Sequence, residues 1–256
     1  MSVRRDFYCG NMRVRVFDTR GEMGVCAGTE AALKIKELLA VKKEINVMFA
    51  AAPSQNETLQ TLMADPDIDW SRVNGFHMDE YVGLDEKHPA GFRNFLRKAV
   101  FDKKTFKSVN LLNGNADDPD LEAERYGKLL RDNPLDICIL GIGENGHIAF
   151  NDPPVADFSD PKLTKVVMLD QVCRLQQVHD GCFAKLEEVP THALSVTIPG
   201  LCGAEWMYCS VPAATKAAAV GHMIQDEVST ACPATILREQ NHAFLYTDRE
   251  AGKELL

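Results

Sequence analysis

No stretch of this 256-residue sequence is apolar for long enough to cross a bilayer. No two of its eight cysteines stand in C-x-x-C spacing, which excludes the commonest thiolate zinc arrangement. Positive charge is scarce, with 28 Lys+Arg against 37 Asp+Glu and a formal net charge of −9. That balance argues against nucleic acid and anionic membrane as partners, although a local site can still hold an anionic small molecule. The chain has no G-x-S-x-G nucleophile elbow, no H-E-x-x-H helix and no Walker loop. No repeat, low-complexity block or Ser/Gly-rich linker interrupts it, so one domain over residues 1–256 is expected. After Arg4-Arg5 no apolar run of signal-peptide length follows. The cysteines are therefore expected to be reduced, and the chain cytoplasmic.

What is present is ordinary globular composition, 45% hydrophobic and 25% charged, enough for a sizeable core. Met12–Phe17 alternates apolar and basic residues, as an edge or half-buried strand does. Helices are expected over Glu22–Lys43, from Ser54 to about Ala64, and over His88–Phe101, Asp118–Asn133, Gln171–Leu186 and Ala213–Gln225. Strands are expected at Ile45–Ala50, Val73–His77, Leu135–Leu140, Lys165–Leu169, Ala193–Ile198, Met207–Val211 and Ala243–Tyr246. Ser54 and Glu57 have capping-box spacing. Strands alternating with helices specify an α/β fold with a mainly parallel sheet and helices on both faces. Sites should then lie past the strand ends at Ala50, His77, Leu140, Ile198 and Val211.

The run Leu135–Leu140 is followed by Gly141-Ile142-Gly143-Glu144-Asn145-Gly146-His147, a literal G-x-G-x-x-G. A dinucleotide loop must open a helix whose N-terminus faces the pyrophosphate. Here Asp152-Pro153-Pro154 stands where that helix would run, so the glycines are read as a turn that aims His147. A histidine at that place moves protons near neutral pH if a carboxylate sets its tautomer, with Asp152, Glu144 and Asp79 as candidates. Phe76-His77-Met78-Asp79-Glu80-Tyr81 puts two acids past a second strand, where aromatic cover suits a general base. Ala50–Asn56 offers a weak anion cradle through Ser54, Gln55 and Asn56. Lys216, in the first turn of a helix, opposes the helix dipole and so favours an anionic ligand.

These motifs together resemble the glucosamine-6-phosphate deaminases. The resemblance is carried by Phe76–Leu84 with His88-Pro89, by Leu111–Asn115, by Gly146–Asn151 and by the Lys216 segment. It runs from about Ile45 to Tyr246. It implies a Rossmann-like α/β three-layer sandwich and conversion of glucosamine 6-phosphate and water to fructose 6-phosphate and ammonia. It implies Asp79 as the base moving a proton between adjacent carbons, and His147 as the ring-opening acid/base. Asp152, Asn145 and Glu80 complete the catalytic set, and Ser54, Gln55, Asn56, Gly143, Gly146 and Lys216 the binding set. No metal or redox cofactor is implied, and a homo-oligomer is. The chain departs from the family pattern with Asn145 for Asp, Asp152 for Glu and Pro53-Ser54-Gln55-Asn56 for a Gly-Gly-Thr-Pro-like loop. Near the family's phosphate arginine stand Arg174 and His179. Two rivals follow: a sugar-phosphate isomerase or lactonase of the same fold, and a non-catalytic sugar-phosphate sensor.

Overall fold

The computed structural model describes residues 3–256. Its centre is an eight-stranded sheet built from β1 (Val3–Cys9), β2 (Met12–Phe17), β3 (Ile45–Phe49), β4 (Val73–His77), β6 (Ser108–Asn110), β7 (Ile137–Leu140), β10 (Trp206–Val211) and β11 (Ala243–Asp248). The strand order is β1-β2-β11-β10-β7-β3-β4-β6, parallel except for the β1–β2 pair. Side chains alternate between two cores, as the period of two demands. Ile137, Ile139, Val47 and Phe49 face one core with α1 (Arg20–Val41) and α2 (Asn56–Ala64). Cys138, Leu140 and Met48 face the other with α4 (Pro119–Asp132) and α7 (Ala217–Gln225). Helices thus cover both faces, which is why the central strands are apolar throughout.

A second, three-stranded antiparallel sheet has the order β5-β9-β8, from β5 (Asp79–Tyr81), β8 (Thr164–Met168) and β9 (His192–Val196). Two expectations fail here. The Lys165–Leu169 and Ala193–Ile198 strands are real but belong to this small sheet. The end at Ile198 opens α6 (Ile198–Cys202) instead of a pocket. Nor is β2 an edge: β1 covers it, and Met12, Val14, Val16 and Phe17 are fully buried. Its Arg15 is buried too, paired with Glu30 and lying over the Tyr246 ring.

Helix limits shift for local reasons. The expected His88–Phe101 helix begins at Phe92, as α3 (Phe92–Leu96) running into a wider turn over Arg97–Phe101. α5 (Gln171–His179) stops short of Leu186 because Gly181 turns the chain at φ +73°. The Ser54–Glu57 capping box is not formed: Gln55 precedes α2 without a side-chain cap, and Glu57 pairs with Arg20. All eight cysteines are free. No helix among the described residues is long and apolar enough to cross a membrane.

Candidate active site

The chain after β3 runs to β4 on one side, and the chain after β7 runs to β10 on the other. Ligands in open α/β sheets bind at such a reversal. One pocket lies there, lined from the ends of β3 (Ala50–Ser54), β4 (Met78, Asp79), β7 (Gly141–Gly143, His147) and β10 (Pro212, Ala213, Thr215, Lys216). α5 adds Gln176 and Gln177, and the residue that caps its end, Asp180, lines the pocket too.

The glycine loop closes on itself instead of opening a helix. Gly143 N–H donates to the His147 carbonyl at 2.9 Å, and Gly146 N–H to the Gly143 carbonyl at 3.1 Å. Gly146 takes φ +79° to make that turn. A Cβ on Gly143 would lie 2.1 Å from the His147 ring, so only glycine leaves the imidazole room. Gly146 does not line the pocket; its part is the turn.

His147 is buried, and its Nδ1 faces Asn145 Oδ1 at 2.8 Å and Asp152 Oδ1 at 2.9 Å. Two oxygen acceptors at one nitrogen place the proton on Nδ1 and leave Nε2 as the basic atom. Nε2 makes no hydrogen bond among the described residues. Asn145 Nδ2 also donates to Asp152 Oδ1 at 2.9 Å, and Asp170 N–H donates to Oδ2 at 3.2 Å. Burial alone would raise the Asp152 pKa. The His147 and Asn145 hydrogen bonds more than offset this, and Asp152 titrates below an ordinary aspartate. Among the three candidate carboxylates, Asp152 is therefore the partner of His147. Glu144 pairs with His179 at 3.3 Å instead.

Asp79 lines the pocket and is buried, and its carboxylate makes no side-chain hydrogen bond among the described residues. Burial, with the Glu80 charge beside it, holds its pKa well above the usual carboxylate range. Phe92, Phe95 and Phe150 line the same pocket, with Phe92 and Phe150 stacked at 5.5 Å. Glu80, expected beside Asp79 at the reacting centre, is not there. Neighbours in a strand point to opposite faces. Its oxygens take Tyr81 N–H at 3.0 Å, Phe92 N–H at 3.1 Å and Arg93 N–H at 2.9 Å. Glu80 satisfies the free amides at the start of α3 and does not line the pocket.

The anion end is only partly as expected. Ser54 lines the pocket, whereas Gln55 is buried against the Ser210 carbonyl at 3.1 Å and Asn56 is exposed on α2. Lys216 lines it and is 4% exposed, and its Nζ has no hydrogen-bond partner among the described residues. Burial lowers its pKa, opposed by the charges of Asp180 and Glu144. Arg174 donates to the Leu186 and Val189 carbonyls at 2.8 Å, and neither it nor His179 reaches the pocket. Arg20, the first residue of α1, does line it. Sequence reasoning missed Arg20 because nothing local marks a helix start far upstream as part of the site.

Two alanines at the pocket hold left-handed φ angles, Ala149 at +48° and Ala213 at +85°. Such strain in non-glycine residues clusters at functional sites. Potential metal-ligand atoms of His147, Asp152 and Cys173 lie within 4.8 Å of one another. The histidine and aspartate are already engaged with each other, and burial pushes the Cys173 thiol up, so it stays protonated.

The fold and the pocket define a class: a Rossmann-like α/β protein with a buried carboxylate, a histidine–aspartate pair and a buried lysine past the strand ends. A family model for glucosamine-6-phosphate isomerases and 6-phosphogluconolactonase matches residues 19–246. A glucosamine-6-phosphate deaminase of Listeria monocytogenes is 34% identical over 229 residues, covering 90% of this chain and 96% of the relative. One of Bacillus cereus is 36% identical over 222 residues, covering 87% and 83%. A solved structure described as a monomeric glucosamine-6-phosphate deaminase superposes with a TM-score of 0.85 at 27% identity, covering 94% and 98%. A 6-phosphogluconolactonase from Thermotoga maritima shares the fold, with a TM-score of 0.73 at 17% identity, covering 92% and 98%. The chain belongs to the glucosamine-6-phosphate isomerase/6-phosphogluconolactonase family.

Proposed function

We propose that the protein converts glucosamine 6-phosphate and water to fructose 6-phosphate and ammonia. The observation that carries this is one pocket holding a buried carboxylate, Asp79, without a hydrogen-bond partner among the described side chains, with an Nδ1-anchored imidazole, His147. The relatives' activity supports it. His147 Nε2 takes the proton of the sugar's C1 hydroxyl and returns it to the ring oxygen, opening the ring. Asp152 stabilises the imidazolium formed on the way, and Asn145 holds both groups in register. Asp79 then removes the C2 proton while the substrate's ammonium gives one of its protons to O1, leaving an enolamine, and Asp79 delivers its proton to C1. The resulting C2 imine adds water and releases ammonia. Lys216 and the Ser54 hydroxyl hold the phosphate.

The test is ammonia release from glucosamine 6-phosphate. Replacing Asp79→Asn keeps the shape and removes the base, so kcat falls by about 10²–10⁴. Full activity in that variant excludes Asp79 as the base. Turnover of a 6-phosphogluconolactone, and not of the amino sugar, overturns the deaminase reading. The pH profile has a definite sign. Asp79 works only when ionised, and its pKa is raised, so the acid limb lies above the usual aspartate range. Lys216 binds an anion only when protonated, and its pKa is lowered, so affinity falls as pH rises, and this fall sets in below the usual lysine range. A rate profile from pH 4 to 10, with kcat and KM separated, checks both.

A further inference from the structure

We propose that Arg20 is the second cation of this site and clamps the substrate's anionic group together with Lys216. This rests on the sugar-phosphate reading above. A phosphate monoester carries about −1.5 to −2 charges at neutral pH, more than one lysine offsets. The Lys216 ammonium is also burdened by nearby Asp180 and Glu144. The α5 wall supplies no positive charge: it presents Gln176, Gln177 and Asp180, and Arg174 is spent on backbone carbonyls. A second cation has to come from elsewhere in the pocket lining.

Arg20 is the other cationic side chain among the described lining residues. Two of its nitrogens are fixed. Nε donates to Glu57 Oε1 at 2.8 Å, and Nη2 donates to the Pro53 carbonyl. Nη1 has no hydrogen-bond partner among the described residues. A planar guanidinium held at two corners is pre-organised to present the third, and little side-chain freedom remains to be lost on binding. The Pro53 contact ties it to Ala52–Ser54, where Ser54 Oγ accepts from Gln55 Nε2 at 3.0 Å and keeps its own O–H to donate. The backbone is held just as firmly. A Cβ on Gly24 would come within 2.3 Å of the Glu57 Cβ, and one on Gly28 within 2.6 Å of the Thr58 carbonyl. The two helices therefore cross at contact distance, and Arg20 is fixed against the loop.

The experiment compares the wild type with Arg20→Gln and Glu57→Gln. Inorganic phosphate binding is measured by calorimetry, and glucosamine 6-phosphate and unphosphorylated glucosamine serve as substrates. Arg20→Gln is expected to weaken phosphate binding about tenfold or more and to raise KM for the phosphosugar by a similar factor. Its kcat should change less than about threefold, and kcat/KM for glucosamine should match the wild type. Glu57→Gln, which breaks the ion pair but keeps the guanidinium, should bind phosphate at least as tightly as the wild type. Equal phosphate affinity in the wild type and Arg20→Gln overturns the assignment. So does an equal loss for glucosamine, which marks a general disturbance of the loop. A wild type that binds phosphate through Arg20 but releases no ammonia overturns the deaminase reading alone.

Discussion

Asn145 stands at the junction of the histidine relay: Oδ1 faces His147 Nδ1, and Nδ2 donates to Asp152. An amide serves both directions at once, as acceptor and donor, and leaves one negative charge in the pair. Replacing Asn145→Asp removes the donor and puts two carboxylates within contact of each other. Like charges at that distance do not both ionise near neutrality, so the pair titrates in two separated steps. The added negative charge favours imidazolium over imidazole. The pH–rate profile of Asn145→Asp should therefore move to higher pH and gain a further ionisation, which steady-state rates across pH would reveal. An unchanged profile would mean that residue 145 only orients the ring. Glu80 teaches the opposite lesson at this scale. Adjacent to Asp79 in sequence, it serves three backbone amides and takes no place at the pocket.

At the scale of elements, the strand ends do the positioning, and one of them is strained. Ala213 joins β10 to the short turn Ala214–Lys216 at φ +85° and ψ 146°, a region nearly exclusive to glycine. Its N–H is held by both oxygens of Asp248, at 3.2 Å and 3.1 Å, which keeps the conformation in place. Strain of about 1–3 kcal/mol is relieved in Ala213→Gly. The added chain freedom of glycine costs about 0.5–1 kcal/mol. The variant should gain about 1 kcal/mol, raising Tm by about 2–4 °C for a chain of this size. Thermal unfolding checks this. A lower Tm would show that the left-handed geometry carries no cost.

For the whole molecule, Arg20, Ser54, Asp79, His147 and Lys216 line one pocket from a single chain. The family resemblance led to the expectation of a homo-oligomer, while the relative of solved structure is described as monomeric. A site that borrows nothing from a second copy should keep its activity per chain on dilution. Specific activity is expected to stay constant over about a thousandfold dilution, with sedimentation measured across the same range. A fall in activity that tracks dissociation would show that a neighbouring chain shapes the site.

Much of the fold is legible in the sequence itself. The apolar runs at Ile45–Ala50 and Leu135–Leu140, and the helical spacing of Glu22–Lys43, carry the α/β sandwich. Burial on both faces leaves a continuous apolar run that no other role requires. The prolines after Gly146 separated a histidine mount from a nucleotide loop, since a proline-interrupted helix cannot offer its N-terminus. Local sequence has no such rule for pairings between distant segments. Which carboxylate meets His147, that Glu80 turns away, that β5, β8 and β9 form their own sheet, and that Arg20 enters the pocket depend on register and helix crossing. Composition and periodicity act through near neighbours and determined the elements and the glycine loop that aims His147. The identity of each partner across the pocket was decided by the tertiary structure, because only packing brings residues so far apart along the chain within reach of one another.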